Sequence, residues 1–183
     1  MKSNTLGQPT PSGSFEMPLE VLRACDARIE DQCSTLRRLV PHLRRHGADD
    51  AARLAAADVM RYFDTAARDH HDDEELDLFP ALVESMAGSD AVCLRELTVG
   101  LAAEHRLLEA AWQRVRAELE HVVAGKSELF VAADVQPLVD LYERHIEREQ
   151  TELLPMAKRL LSDEQLGHLA RAMRERRGVD PIR

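Results

Sequence analysis

The feature of this sequence with the clearest chemical meaning is an acidic, histidine-containing pattern that occurs twice. Residues 70–80 read HHDDEELDLFP, and residues 145–155 read HIEREQTELLP. In both segments a histidine is followed four residues later by a glutamate and ten residues later by a proline. Imidazole and carboxylate groups together are typical ligands of iron, manganese or zinc. The repeat therefore predicts two halves of one metal site.

The helical period places these residues on faces that are otherwise apolar. Apolar residues recur every three or four positions along almost the whole chain, which is typical of amphipathic helices. In this period, ionisable residues from four helices fall on inward faces: Asp26, His70, Glu74, His105, His145 and Glu149. Each predicted helix would therefore bring at least one ionisable group into the core.

Ionisable groups in a core need partners, because burying them unpaired costs several kcal/mol each. A lone inward histidine is usually satisfied by a hydrogen bond, and an exposed His-x-x-x-Glu pair is usually only a surface contact. Here two identically spaced pairs lie on apolar faces, and His105 and Asp26 come from the two remaining helices. We interpret the six residues as a cage for metal, similar to the carboxylate-bridged two-metal sites of four-helix bundles.

The residues next to the first pair allow several interpretations. His71 and Glu75 lie one position further along the helix and are rotated by about 100° from His70 and Glu74. They would be outer partners of the ligands, an additional ligand, or exposed side chains. Glu109 lies at the edge of its apolar face and fits a surface or outer position better than a ligand.

The elements that position these residues follow from the same periodicity. The sequence predicts four long helices, over about Pro18–His46, Asp50–Met86, Asp90–Gly125 and Ser127–Leu161. The inward residues predicted for the fourth helix are Leu138, Leu141, Leu153, Met156 and Leu160. The SDEQ segment at 162–165 is a capping-box signature and predicts a short fifth helix that ends near Gly178.

These elements predict an all-α chain, an up-and-down antiparallel four-helix bundle with a short C-terminal fifth helix. Residues 1–15, rich in Ser, Gly, Pro and Thr, are expected to form a flexible N-terminal tail. Residues 16–161 would form the bundle, and residues 162–183 the short helix and a tail.

Composition argues against several other classes of protein. The 183 residues fit one domain, and the formal charge of −9 does not suggest a nucleic-acid partner. No apolar run approaches the roughly 18 residues needed to span a bilayer, so no membrane association is expected. The first residues lack the apolar core of a signal peptide, and three cysteines at no metal-ligand spacing fit reduced thiols. We therefore expect a cytoplasmic protein.

Three motifs together resemble the hemerythrin-like, HHE cation-binding family. They are His70-x-x-x-Glu74 with LFP at 78–80, EHRLL around His105, and His145-x-x-x-Glu149 with LLP at 153–155. The resemblance covers residues 18–161 and implies a bundle with two non-haem iron ions, bridged by carboxylates and an oxo or hydroxo group. Manganese and zinc are the alternative metals. The resemblance also implies that the partners are small diatomic ligands or peroxide, and that the function is sensing, protection or iron handling. No protein partner is indicated.

Two positions depart from the family pattern. Asp26 stands where the family normally has a histidine, and Glu109 stands where oxygen-carrying hemerythrins have a further histidine. The set is thereby richer in carboxylate, and hard oxygen donors fit a redox-reactive centre better than a reversible oxygen carrier. The alternative is that Asp26 is too short to reach the metal and leaves an open position.

The sequence therefore leaves three functions open. In the first, Glu74 and Glu149 bridge two irons, the histidines bind terminally, and the site binds or senses O2, NO or peroxide. The second is a di-iron enzyme with peroxidase, catalase-like or ferroxidase activity. The third is a structural or regulatory bundle whose metal site is degenerate at Asp26.

Overall fold

The computed structural model describes residues 14–85, 90–126 and 130–179. Within these ranges all regular structure is helical and no strand occurs, which confirms the prediction of an all-α chain. None of the described helices is both long and apolar enough to cross a membrane. The predicted tail up to residue 13, the predicted helix end at Met86 and the predicted helix start at Ser127 lie outside the described residues. The last two residues of the predicted tail instead belong to a short 3-10 helix (Ser14–Glu16), in which Phe15 is buried.

Helix α1 extends over Pro18–His46, as the sequence predicts. Its buried face includes all the residues that the three-four spacing places inward: Leu22, Ile29, Cys33, Leu36, Val40 and Leu43. Gly47 ends the helix with a φ of 68°, a conformation that glycine adopts without steric cost, and its N–H donates to the Leu43 carbonyl.

The second predicted helix is divided into four consecutive parts. These are helix α2 (Asp50–Asp64), helix α3 (Ala66–Asp72), a π-helical turn (Asp73–Leu78) and helix α4 (Phe79–Glu84). Thr65 separates α2 from α3, and its N–H donates to the carbonyl of Tyr62. The sequence predicted one continuous helix. No Pro or Gly marks the break at Thr65, whereas Pro80 lies just after the π-turn.

The second half of the chain follows the same scheme. Helix α5 (Asp90–Val123) is unbroken, and helix α6 (Ala132–Arg148) continues through a second π-helical turn (Glu149–Leu153) into helix α7 (Leu154–Leu160). Helix α8 (Asp163–Arg176) begins with the predicted capping box, in which Ser162 and Gln165 exchange hydrogen bonds.

The two π-turns occupy equivalent places in the repeated sequence pattern. The N–H of Phe79 donates to the carbonyl of Glu74, and the N–H of Leu154 donates to that of Glu149, each five residues earlier. In an α-helix a proline ring clashes with the carbonyl four residues before it. A wider turn relieves that clash, which explains why each pattern ends in a proline within an otherwise continuous helix.

The second π-turn also corrects the predicted face of the fourth helix. Because the turn contains an extra residue, the buried positions after it are Leu154, Ala157 and Leu161. Met156 and Leu160, which the uninterrupted period placed inward, are only partly buried against this core. Leu141, also predicted inward, is partly buried as well although it precedes the turn, because Val139 and Tyr142 take the buried positions beside it.

The long helices contact one another in a ring. Helix α1 packs on α2 and α6, and α5 packs on the same two helices. Their buried apolar residues form two clusters, and the division between the clusters falls between Cys25 and Ile29 in α1 and between Leu101 and Leu108 in α5. Asp26 and its counterparts on the other helices therefore lie in a polar layer between two apolar layers.

An aromatic group packs beside this polar layer. The Phe63 ring lies 4.6 Å from the Trp112 ring and 5.4 Å from the Tyr142 ring, measured between centroids. The indole N–H of Trp112 donates to the Asp64 carboxylate at 3.0 Å. This bond satisfies a donor that would otherwise be buried without a partner.

Candidate metal centre

The polar layer contains all six residues that the sequence singled out. Each is at most 4% exposed: Asp26, His70, Glu74, His105, His145 and Glu149. Their donor atoms form two groups in which one atom from each member lies within 4.8 Å of the others. The His105–His145 group consists of Glu74, His105, His145 and Glu149, and the His70 group consists of Asp26, His70 and Glu149. Glu149 belongs to both groups.

In the His105–His145 group, imidazole nitrogens and carboxylate oxygens converge on a small volume. The two Nε2 atoms of His105 and His145 are 3.1 Å apart. The Nε2 of His105 lies 3.2 Å from Oε2 of Glu74, and that of His145 lies 2.7 Å from Oε1 of Glu149. These close approaches to Glu74 and Glu149 do not have hydrogen-bond geometry, since neither carboxylate has a hydrogen-bond partner.

The His70 group lies on the other side of the shared carboxylate. Nε2 of His70 is 3.3 Å from Oδ1 of Asp26 and 3.9 Å from Oε2 of Glu149. The two oxygens of Glu149 thus face different groups, one toward His145 and the other toward His70. Asp26 lies within the group despite its short side chain.

Two carboxylates outside the six hold the histidine rings from behind. Nδ1 of His105 is 2.7 Å from Oε1 of Glu75, and Nδ1 of His145 is 2.8 Å from Oε2 of Glu104. A carboxylate that accepts the Nδ1–H leaves the lone pair on Nε2, where a metal would bind. These hydrogen bonds join different helical segments, because Glu75 and Glu104 each bind a ring from another segment. Glu75 is therefore an outer partner, one of the interpretations open at the sequence level, and Glu104 was missed.

The pKa values in the layer shift in different directions. Burial would lower the pKa of His70 and of His145, but the neighbouring carboxylates raise both. Burial, with the neighbouring His145 ring, lowers the pKa of His105 to about 4, so the ring is neutral at neutral pH. Burial and the Glu149 carboxylate raise the pKa of Glu74 well above its ordinary value. Burial alone would also raise the pKa of Glu149, but the facing His145 and His70 rings hold it well below its ordinary value.

The unpartnered atoms test whether a metal fits this layer. Oδ1 of Asp26 and both oxygens of Glu74 and Glu149 are buried without any hydrogen-bond partner, as are both ring nitrogens of His70. Buried polar atoms are nearly always satisfied, and buried carboxylates need a compensating charge. Several orphaned oxygens and nitrogens that face one another fit metal ions of the iron, manganese or zinc class.

The first π-turn, which carries Glu74, is held by the C-terminal helix. Asp73 is fully buried and accepts hydrogen bonds from Arg176 and Arg177, the latter at 2.5 Å from Oδ2. Arg176 also donates to Asp77 at 2.7 Å. The guanidinium of Arg177 lies over the Phe15 ring, 5.9 Å from its centroid. We refer to Asp73, Asp77, Arg176 and Arg177 as the clamp.

The carboxylates at the edge of the apolar faces are not in the layer. Glu30 and Glu109 are both exposed, and Glu109 accepts a hydrogen bond from Gln113 at 2.7 Å. The expectation that Glu109 takes a surface or outer position rather than that of a ligand agrees with this placement. No sequence signal marks Glu104, because its role depends on which helix faces its own.

Comparison with known proteins agrees with the geometry. The sequence model described as the hemerythrin HHE cation binding domain matches residues 17–157. The chain is also 30% identical over 172 residues to an uncharacterized protein of Haemophilus influenzae, an alignment that covers 94% of this chain and 96% of the relative. Helix α8 lies outside the matched domain, although the relative's alignment spans nearly the whole chain. This chain belongs to the hemerythrin HHE cation-binding domain family.

Proposed function

We propose that this protein binds two metal ions, with iron the best suited, in the core of an up-and-down antiparallel four-helix bundle. The ring of helix contacts supports the bundle, as does the pairing of opposite helix ends within each apolar cluster. Imidazole and carboxylate donors in similar number favour iron over metals that prefer all-sulfur or all-oxygen sites.

The observation that carries the proposal is the position of Glu149. Its two oxygens face two different imidazoles, His145 at 2.7 Å and His70 at 3.9 Å, and it belongs to both donor groups. A carboxylate so placed would bridge two ions. His105 and His145 would bind one ion with Glu74, and His70 would bind the other with Asp26.

A pair of iron ions in such a site supplies one-electron and two-electron exchange with O2, NO or peroxide. Burial keeps the His105 imidazole neutral, and Glu75 and Glu104 fix the His105 and His145 rings. The apolar layers on both sides keep bulk water from the donors. We propose sensing of, or protection against, these small oxidants as the function, with iron handling as the related role.

The carboxylate content favours one second candidate, a ferroxidase-like or peroxidase-like enzyme. Asp26 lies within 3.3 Å of His70, so the His70 group combines one imidazole with two carboxylates. Oxygen donors stabilise the ferric state and so assist iron oxidation. Sustained turnover of Fe2+ or peroxide that is lost in Glu149→Gln would select the enzyme over the sensor.

The decisive experiment is metal analysis of protein reconstituted anaerobically with iron, with a near-ultraviolet spectrum before and after exposure to air. We expect two irons per chain and new charge-transfer absorption after oxidation. Glu149→Gln should lower the content of both ions, whereas His70→Ala should lose one. His121→Ala, which changes an exposed histidine of α5, is the control. One iron or none in the unaltered protein would reject the two-metal function and leave the structural role.

A further inference from the structure

The neighbouring histidines at the end of helix α3 face different donor groups. On a helix, consecutive side chains diverge by about 100°. His70 points Nε2 toward Asp26 and Glu149, whereas the His71 ring lies over the His105 ring, with centroids 4.0 Å apart and an interplanar angle of 11°. The adjacent pair is therefore divided between the two groups.

His71 has a ring nitrogen without a partner. Its Nε2 is buried and makes no hydrogen bond. One nitrogen each from His71, His105 and His145 lie within 4.8 Å of one another. A buried acceptor of this kind costs free energy until something binds it.

We propose that His71 is a nitrogen ligand of the ion at the His105–His145 group. The proposal rests on the two-metal function above and specifies its chemistry. Two nearly parallel rings cannot both direct in-plane lone pairs at one ion, so binding requires the His71 ring to turn out of its stack on His105. No hydrogen bond to Nε2 opposes that rotation.

The consequence is a chemically unequal pair of positions. With His71, the His105–His145 position has three imidazoles, whereas the His70 position has one imidazole and two carboxylates. Imidazole-rich sites favour Co2+ and Zn2+, and oxygen-rich sites favour Mn2+. We therefore expect Co2+ added below one equivalent to occupy the His105–His145 position first.

Two substitutions separate ligation from stacking. His71→Phe retains an aromatic ring that can stack on His105 but has no nitrogen, whereas His71→Ala removes both. His121→Phe makes the same change at an exposed site of α5 and serves as the control. His71→Gln replaces His71→Phe if the larger ring prevents folding, which circular dichroism of the metal-free chain would show.

The measurement is calorimetric titration of the metal-free full-length chain with Co2+ alone. We expect two binding events of unequal affinity in the unaltered and control proteins. His71→Phe and His71→Ala should both lower the affinity of the tighter binding event by about tenfold or more. Removal of an outer partner alone typically lowers metal affinity by that amount, and loss of a ligand should cost at least as much. Wild-type affinities in His71→Phe would overturn the proposal and leave a stacking role, whether or not His71→Ala is weaker.

Histidine-selective nitrogen NMR with diamagnetic Zn2+ gives an independent readout. The His71 Nε2 resonance should move to the metal-bound region at the first equivalent, and an unmoved resonance with the site filled would overturn the proposal. If the unaltered protein binds two ions but the affinity does not depend on His71 and the His71 resonance does not move, only this inference is rejected. Failure of the unaltered protein to bind two ions would reject the proposed function as well.

Discussion

Two histidines of the polar layer, His105 and His145, are oriented by groups that are not themselves candidate ligands. Glu104 accepts from Nδ1 of His145 and is paired in turn with Arg148. Glu75 accepts from Nδ1 of His105 and lies 3.5 Å from Arg106. Each ring is thus held by a carboxylate whose own charge is balanced at the surface. This arrangement fixes the tautomer without adding an uncompensated charge near the donors.

We predict that Glu104→Gln weakens metal binding while the fold is retained. The amide carries no charge, so it holds the Nδ1–H less strongly and makes His145 a weaker ligand. Loss of such an outer partner typically lowers affinity about 10–100-fold. Competition with a coloured chelator would measure the change. Glu143→Gln, on the same helix as His145 but paired with Arg37 at 2.6 Å, should bind as the unaltered protein does. Equal affinities in the two variants would contradict the role of Glu104.

Among the elements, the first π-turn depends on the clamp. π-Helical turns are rare and persist where the surroundings hold them. Asp73, next to Glu74, is fully buried between Arg176 and Arg177 of the C-terminal segment. The clamp therefore ties helix α8 to the turn that carries a candidate ligand.

We predict that the double change Arg176→Ala and Arg177→Ala both destabilises the protein and weakens metal binding. It leaves the Asp73 carboxylate buried without a partner, which costs about 3–5 kcal/mol. Urea unfolding and metal titration would measure the two effects. Adding Asp73→Asn should recover part of the stability, because the unpaired charge is removed. Arg171→Ala, at an exposed position of α8, is the control. An equal loss of stability and metal affinity in this variant would show that the clamp has no special role.

A contact between α5 and α6 gives the chain a pH-dependent stability away from the polar layer. Burial raises the pKa of Glu118 from 4.5 to about 7, and the Asp134 carboxylate adds to the rise. Between pH 4.5 and about 7, Glu118 is deprotonated in the unfolded chain but still protonated in the folded chain. The free energy of unfolding therefore falls as the pH rises through this range. Glu118→Gln should therefore be more stable than the unaltered protein above pH 7 and equal to it below pH 4.5. Urea midpoints of both proteins, measured above pH 7 and below pH 4.5, test this prediction. Glu147→Gln, which changes another glutamate, is the control and should not show this pH-dependent gain in stability.

The sequence allowed most helical faces to be predicted where the helices are unbroken. The buried residues of α1 and α5 follow one three-four period from end to end, since neither helix contains a π-turn. The same rule found six residues of the polar layer, because ionisable groups on apolar faces stand out. It failed after the second π-turn, where Met156 and Leu160 are displaced by an extra residue. It also missed Glu104, since its partner lies on another helix and no spacing along the chain encodes that contact.

For the whole molecule, metal and fold stability should be linked. The polar layer crosses the core between two apolar layers, and in the absence of metal it buries carboxylates that repel one another. Metal that binds only the folded state adds about 2.7 kcal/mol at a concentration one hundred times its Kd. We predict that a chelator lowers the melting temperature and that iron restores it. A melting temperature unaffected by either would favour the structural bundle without metal.

The aromatic group beside the polar layer would report on a bound metal through tryptophan fluorescence. Trp112 is the only tryptophan of the chain, and Phe63 and Tyr142 bridge the space from its ring toward His71, whose centroid lies 6.3 Å from that of Tyr142. Its fluorescence therefore arises from one buried ring a short distance from the candidate ions. Ferric ions, which absorb in the range of indole emission, should quench this fluorescence by energy transfer, and colourless Zn2+ at the same site should not. Trp112 fluorescence would thus distinguish iron from zinc in the proposed site.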